Sequence, residues 1–340
     1  MKKWISIALI VALVLTGGFT WEHWLPAVAD FSLRQTRAVT ARQVGLTLLK
    51  YTDPIMHNIS RYLTPDFTES LDEHFLYFAK AEEEEEVEPL GTIKAANLSA
   101  LSGTYRQVNG TAVANATDFD VKDYLDDSVS MPSFIAGKPA VLIYHTHTTE
   151  CYRNAEGISN TRDESMNVVA VGEAMAKVFE ASGYRTIHIK EIFNQPDFNG
   201  AYANSRAAVE KVLKENPTIR VVLDVHRDAI SSNGVDYYPV TEVDGRQAAQ
   251  VMLVCGTDAK GLSHPNWNKN FTYALQLSRK MGELYGQLSR PVNLRRDRFN
   301  THFTPHTLLL EVGSAANTLS QAIYGGELTA RAMIALWNNA

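Results

Sequence analysis

The chain has 340 residues, of which 45% are hydrophobic and 21% are charged, and its formal net charge is −6 at pH 7. This length and composition are typical of a globular protein with one sizeable core and an appendage. The two cysteines are too few for a disulfide scaffold. No basic stripe is interleaved with aromatic residues, which argues against nucleic acid as a partner.

The N-terminus carries a membrane signal. Residues 4–20 form an uncharged apolar run directly after Lys2 and Lys3. As a helix this run would extend roughly 26 Å, close to the thickness of the hydrocarbon core of a bilayer. The lysines favour a cytoplasmic N-terminus. We therefore predict a single-pass membrane protein that is anchored by residues 1–24 and otherwise lies outside the cytoplasm. The alternative is a signal peptide that is cleaved after the small residues 27–29.

The next part of the chain, residues 25–135, carries weaker signals and is predicted to be an extracytoplasmic, partly helical stalk or linker region. Residues 30–78 show helical periodicity. Five consecutive glutamates follow at residues 82–86, a run that is typical of a solvated segment. The aspartates between residues 118 and 127 lack the alternation and the glycine of a calcium loop, and they indicate an acidic surface instead.

After Gly137 the pattern changes to alternating apolar runs and helical periodicity. Strands are predicted at residues 139–146, 184–189, 219–225 and 307–312, with a β-hairpin that turns at Asp244 and Gly245. Helices are predicted at residues 165–182, 201–215, 270–288 and 319–337. Such alternation predicts an α/β fold, with a mostly parallel sheet and helices on both faces, in a domain that spans residues 136–340.

Candidate metal ligands follow two of these strands. His147 and Glu150 form a His-x-x-Glu pair, and His226 directly follows the strand at residues 219–225. In open α/β sheets, ligands bind at the carboxyl ends of the strands, and zinc takes imidazole nitrogens and carboxylate oxygens. The pattern therefore predicts a Zn²⁺ site. His145 is a further candidate, either as a ligand or as a hydrogen-bond partner that orients one.

A zinc hydrolase also needs a base, and the candidate is Glu311 at the end of an otherwise apolar strand. Burying a carboxylate costs free energy, so a buried one indicates a functional role. A carboxylate beside a metal-activated water can take the proton from that water. The alternative is an ion pair with Arg227, Arg296 or Arg298. We also predict a catalytic role for Arg227, either in holding a substrate carboxylate or in polarising the scissile carbonyl.

Other polar residues near these strands leave alternatives open. Asp224 and Asp228 flank His226, and one of them is expected to orient the imidazole, with Asp228 as an alternative extra ligand. His302 and His306 precede the Glu311 strand and are weaker candidates for lining the cleft.

Several segments resemble the stage II sporulation protein P family of membrane-anchored peptidoglycan hydrolases. The strand and ligand run at residues 141–150 reads Val-Leu-Ile-Tyr-His-Thr-His-Thr-Thr-Glu. Further matching segments lie at residues 167–172, 224–229, 309–314 and 317–318, in the expected order. The resemblance extends from about residue 137 to the end, and its specificity comes from the combination of segments.

This resemblance implies a zinc-dependent N-acetylmuramoyl-L-alanine amidase, with endopeptidase activity on cross-links also associated with the family. The implied substrate is peptidoglycan, and the implied partners are stage II sporulation proteins D and M at the septum during engulfment. Carried over to this chain, His147, Glu150 and His226 are the metal-site residues and Glu311 is the catalytic carboxylate. His145 matches the motif as well.

The resemblance leaves the carboxylate ligand and the activity open. In related zinc amidases a glutamate that opens the first helix is the middle ligand, so Glu164 competes with Glu150. The His-x-x-Glu spacing resembles that of zinc carboxypeptidases and favours Glu150. The alternatives to an amidase are a zinc carboxypeptidase or endopeptidase of wall peptides and a catalytically silent wall-binding scaffold.

Overall fold

The computed structural model describes residues 92–99, 105–125, 129–154 and 157–338. The predicted anchor, the periodic segment at residues 30–78 and the five glutamates lie outside the described residues. None of the helices that the structure describes is long and apolar enough to span a bilayer.

The described chain alternates between strands and helices from residue 139 onward. The strands are β1 (Thr92–Ala96), β2 (Arg106–Val108), β3 (Thr111–Asn115), β4 (Pro139–Tyr144), β5 (Arg185–His188), β6 (Val221–Asp228), β7 (Ser231–Ser232), β8 (Val235–Val243), β9 (Arg246–Ala249), β10 (Val251–Gly256), β11 (Val292–Arg295) and β12 (His306–Ser314). The helices are α1 (Val168–Ala181), α2 (Ala201–Glu215), α3 (Trp267–Tyr285) and α4 (Leu319–Asn338).

The main sheet has eight strands in the order β2-β3-β11-β10-β12-β6-β4-β5. Neighbouring strands are parallel except for the pairs β2–β3 and β10–β12. This confirms the prediction of a mostly parallel sheet. A smaller sheet has the order β1-β8-β7, with β9 paired to β8.

Helices cover both faces of the main sheet, as the sequence predicts. In β4, Val141 and Ile143 belong to the large core that also contains buried residues of α1, α3 and α4. The alternate residues Leu142 and Tyr144 pack instead with Val209 of α2. Because successive strand residues point to opposite faces, α2 covers one face and the other three helices cover the opposite one.

Three strands that precede residue 136, the predicted start of the catalytic domain, also belong to the sheets. Strand β3 pairs in parallel with β11, strand β2 pairs with β3, and β1 pairs with β8. These short strands lack a long apolar run, and β3 meets its partner only through a contact between residues far apart in the chain, so local patterning does not reveal them.

The predicted hairpin forms, but its second arm splits. Asp244 and Gly245 have φ values of +52° and +73°, as a two-residue primed turn requires. Strand β9 then pairs with β8, whereas β10 joins the main sheet antiparallel to β12. Gln250 lies between the two strands, and its side-chain amide donates to the carbonyl of Gln287 at 2.6 Å.

Candidate metal centre

Three strand ends bring the predicted site together. Glu311 of β12 is the register partner of His226 of β6, and Tyr144 of β4 is the partner of Asp224. Beyond β4 the chain turns tightly, and the amide of Glu150 donates to the carbonyl of His147 at 3.0 Å. The carbonyl of Glu150 accepts from the amide of Val168, the first residue of α1, at 2.9 Å. Backbone contacts therefore hold the His-x-x-Glu turn against the helix.

The side chains of His147, Glu150 and His226 converge, and one potential ligand atom of each lies within 4.8 Å of the others. Nδ1 of His147 lies 3.4 Å from Oε1 of Glu150, and Nδ1 of His226 lies 3.3 Å from Oε2. Atoms that sit ~2.1 Å from a tetrahedral zinc ion are separated by about 3.4 Å. These two separations and the donor types fit zinc, and three protein ligands would leave a fourth position for water.

The charges within this cluster favour an ionised glutamate. Burial by itself would raise the pKa of Glu150, but the neighbouring His226 and His147 outweigh it and hold that pKa well below its usual range. Burial likewise disfavours a protonated His226, but the carboxylates of Asp224 and Glu150 raise its pKa above the ordinary value. A cation bound between these side chains would meet a carboxylate that is already ionised.

Asp224 is the flanking aspartate that forms an ion pair with His226. Its Oδ1 lies 2.9 Å from Nε2 of the imidazole, which leaves Nδ1 facing Glu150. The carboxylate is itself held by the amide of Thr146 at 2.8 Å and by the hydroxyl of the same residue at 2.7 Å. Asp228, the alternative, instead pairs with Arg290 at 2.9 Å.

Replacing Asp224 with Asn should weaken zinc binding by about 10- to 100-fold. The neutral amide lacks the negative charge with which the carboxylate fixes the tautomer and orientation of His226. Competition with a chelator of known affinity measures the change. Asp228→Asn is the matched control and should bind zinc nearly as tightly as the parent protein. Equal losses in the two variants would contradict the role of Asp224.

Glu311 lies beside the cluster as a buried carboxylate that is free to act. Its Oε2 has no hydrogen-bond partner within the described part of the chain. Burial, reinforced by the charges of Glu150 and Asp228, raises its pKa to about 8. A carboxylate with such a pKa accepts a proton readily near neutral pH, which suits a general base.

The predicted ion-pair alternative for Glu311 is wrong. Arg227 binds backbone carbonyls, Arg296 pairs with Asp118 at 2.7 Å, and Arg298 donates to the carbonyl of Ser263 at 3.1 Å. The positive charges that lower the pKa of Glu311 are those of His226 and, to a smaller extent, Arg290.

Comparison with known proteins gives the family. The family described as stage II sporulation protein P matches residues 66–334. The chain belongs to this family. Stage II sporulation protein P of Bacillus subtilis (strain 168) is 28% identical over 199 residues, which cover 54% of this chain and 47% of the relative. The chain therefore matches about half the length of that relative.

Solved amidase structures show weaker similarity. The N-acetylmuramoyl-L-alanine amidase AmiC2 of Nostoc punctiforme gives a TM-score of 0.35 at 12% identity, covering 59% of this chain and 98% of that one. The CwlD amidase of Clostridioides difficile, solved in complex with the GerS lipoprotein, gives 0.38 at 12% identity, covering 59% and 97%. The assignment to the stage II sporulation protein P family rests on the sequence match.

The structure places His145, the further candidate ligand, outside the cluster of His147, Glu150 and His226. Strand β4 ends at Tyr144, and alternation turns His145 toward α1. Its Nδ1 lies 2.8 Å from the carbonyl of Val225, and its Nε2 lies 2.8 Å from Nε2 of His188. Both ring nitrogens are engaged, so neither is available to a metal bound by His147.

The buried pair of His145 and His188 should make the metal-free protein sensitive to acid. Burial lowers the pKa of His145 to about 3 and that of His188 to about 4. Below pH ~6.5 these histidines therefore become protonated in the unfolded chain but stay neutral in the folded chain. The free energy of unfolding then falls toward pH 4 by at most about 1.4 kcal/mol per pH unit for each histidine. Urea unfolding with a chelator at pH 7, 6 and 5 measures this slope.

The variant His188→Gln removes one of these two titrating groups and should flatten the slope. Burial also lowers the pKa of His302, to about 4, so His302→Gln should flatten the slope as well, and the double variant should flatten it more than either single one. A slope that His188→Gln leaves unaltered would contradict this origin of the acid sensitivity.

Arg227, for which we predict a catalytic role, contacts the backbone of the segment around Glu150. Its guanidinium donates to the carbonyls of Cys151 at 3.0 Å and Ser159 at 2.8 Å, and the residue is only 9% exposed. Its backbone amide lies 3.3 Å from Oε2 of Glu150. The side chain therefore braces the segment that carries Glu150 through two backbone carbonyls.

The structure also decides between the competing glutamates and places the weaker histidine candidates. Glu164 lies apart from the cluster, with its carboxylate 3.8 Å from Lys190 and largely exposed. His306 opens β12 at the opposite edge of the sheet and contacts the carbonyl of Ser130 at 2.9 Å. The ring of His302 packs against that of Phe303. None of these three side chains joins Glu150.

Two features of the site escape sequence analysis. Arg290 is buried beside Asp228, but it lies in the loop between α3 and β11, outside every motif. The ring of Phe198 stacks on His147 with centroids 4.5 Å apart, and the ring of Tyr202 meets His147 edge-on at 5.5 Å. No local pattern could have indicated either, because each meets the site only through tertiary contacts.

Proposed function

We propose that this protein is an extracytoplasmic, zinc-dependent N-acetylmuramoyl-L-alanine amidase that degrades septal peptidoglycan in sporulation. The observation that carries the proposal is the convergence of His147, Glu150 and His226 at zinc-ligand spacing beside an unpartnered carboxylate, Glu311. Membership of the stage II sporulation protein P family supports the setting.

The bond to be cut joins the lactyl group of the glycan to the amino group of the first alanine of the stem peptide. When bound, zinc supplies a water of lowered pKa and a Lewis acid for the carbonyl. Glu311 takes the proton from the attacking water and passes it to the departing amine. A C–O bond forms and the C–N bond breaks, so the products are a lactyl carboxylate and a peptide with a free amino terminus. Asp224 keeps His226 oriented throughout.

The compartment and partners belong to the same proposal. Residues 1–24 anchor the chain in the cell membrane, and Lys2 and Lys3 place the catalytic domain on the side where peptidoglycan lies. The family resemblance supports partnership with stage II sporulation proteins D and M. Co-purification of the full chain with each of them, with and without residues 1–24, measures whether the anchor is needed.

Digestion of purified sacculi with the zinc-loaded full chain tests the reaction. An amidase releases stem peptides that begin with alanine, and it leaves glycan strands without peptides. The second candidate is a wall endopeptidase or carboxypeptidase, which is supported by the resemblance of the His-x-x-Glu pair to that of zinc carboxypeptidases. Such an enzyme would leave peptide fragments attached to the glycan. No products from the parent protein would favour the wall-binding scaffold and contradict the amidase.

A further inference from the structure

The ring of Phe198 is presented to solvent at the edge of the metal centre. It is 56% exposed, although it stacks on His147 at 4.5 Å with an interplanar angle of 24°. A large apolar ring that is left in contact with water loses the free energy that burial would provide. Exposure directly beside three converging potential ligands therefore indicates a surface that is available to a substrate.

The loop that carries Phe198 connects β5 to α2 and is attached to the His-x-x-Glu turn. The hydroxyl of Thr148 donates to the carbonyl of Glu191 at 2.7 Å. The side-chain amide of Asn194 donates to the hydroxyl of Thr149 at 2.8 Å. The two threonines that separate His147 from Glu150 thus hold the loop beside the metal ligands, which gives the ring a defined position.

This ring borders the cluster on the side away from Glu311. In the sheet order, β6 with His226 separates β12 with Glu311 from β4, which leads to His147. The aromatic rings of Phe198 and Tyr202 contact His147, whereas the charged pair of Arg290 and Asp228 lies on the Glu311 side. One flank of the centre is therefore aromatic and the other is charged.

The two halves of the proposed substrate differ in the same way. On one side of the scissile amide is a sugar, whose ring faces carry C–H groups, and on the other is a peptide that bears carboxylates. The negative face of an aromatic ring attracts C–H groups and repels carboxylates. We propose that Phe198 forms the wall of a subsite for the muramoyl sugar. This inference rests on the proposed function, since it assumes that substrate class.

The test measures binding without turnover, in the zinc-loaded full chain carrying Glu311→Gln. The two probes are N-acetylmuramoyl dipeptide and the same dipeptide with an acetyl group in place of the sugar. Adding Phe198→Ala should weaken binding of the sugar-bearing probe by about three- to tenfold, the range expected for one aromatic contact. Binding of the acetyl dipeptide and the zinc content should stay unchanged, and Phe198→Tyr should restore most of the affinity.

Leu262→Ala is the matched control, because Leu262 is also 56% exposed but follows β10 at the opposite edge of the sheet. It should alter neither probe. Equal weakening of both probes by Phe198→Ala, loss of zinc, an unchanged affinity, or no binding of the sugar-bearing probe by the Glu311→Gln parent would each overturn the sugar subsite. Loss of zinc would indicate that Phe198 acts through His147. An unchanged affinity would indicate that the ring does not contact the sugar, and absence of binding would indicate that the site has no sugar subsite.

Failure of this inference can be told apart from failure of the proposed function. If the parent protein digests sacculi as an amidase but Phe198→Ala leaves both affinities unchanged, the subsite is wrong and the amidase stands. If the parent protein cleaves nothing while sugar binding depends on Phe198, the subsite stands in a wall-binding protein and the amidase proposal fails.

Discussion

His226→Ala is expected to abolish zinc binding at stoichiometric concentrations and to reduce amidase activity to background. The variant removes one of three converging candidate ligands and leaves Asp224 and Glu150 facing the space of the lost imidazole. Loss of a direct ligand should exceed the roughly 10- to 100-fold cost of losing an outer partner. Elemental analysis of the purified full chain, together with assays on sacculi, measures both effects.

Because His226 is buried, the fold of this variant needs its own check by circular dichroism and thermal unfolding. His147→Ala provides a second route to the same result, since His147 is more exposed and its removal disturbs less packing. His302→Ala is the control at a histidine outside the cluster, and it should retain zinc. Full zinc stoichiometry in both ligand variants would refute the assigned metal centre.

Glu311→Gln is expected to keep zinc and to lower turnover by about 10²- to 10⁴-fold, the usual contribution of a general base. The amide matches the carboxylate in shape but cannot accept the proton from water. The replacement should not destabilise the fold, because burial already disfavours the charge of Glu311 and raises its pKa to about 8. Single-turnover and steady-state rates on a muramoyl-peptide substrate measure the loss.

The matched control for this variant is Glu164→Gln, at the glutamate that competes with Glu150 in the sequence. Its exposed carboxylate near Lys190 is not part of the cluster, so neither zinc content nor turnover should change. Near-normal turnover in Glu311→Gln would remove Glu311 from the reaction. A large loss of zinc or of turnover in Glu164→Gln would show that the wrong glutamate has been assigned to the metal centre.

Local sequence patterns determined the elements that build the centre. The apolar runs behind β4, β6 and β12 were recognisable from the sequence, and α2 lies at the predicted residues 201–215. His147, Glu150 and His226 were recognisable because a strand end is where an α/β sheet places its ligands. Such patterns are local, since side-chain periodicity and turn chemistry involve residues that are close in the chain.

Only the tertiary structure decided the features that depend on distant contacts. The turn after Tyr144 sends His145 to His188 while His147 meets Glu150, although the histidines are two residues apart. Packing likewise makes Arg227 a brace, brings Arg290 to Asp228 and adds β3 to the sheet. The physical reason is that a side chain's direction beyond a strand end, and its choice of partner, depend on elements many residues away.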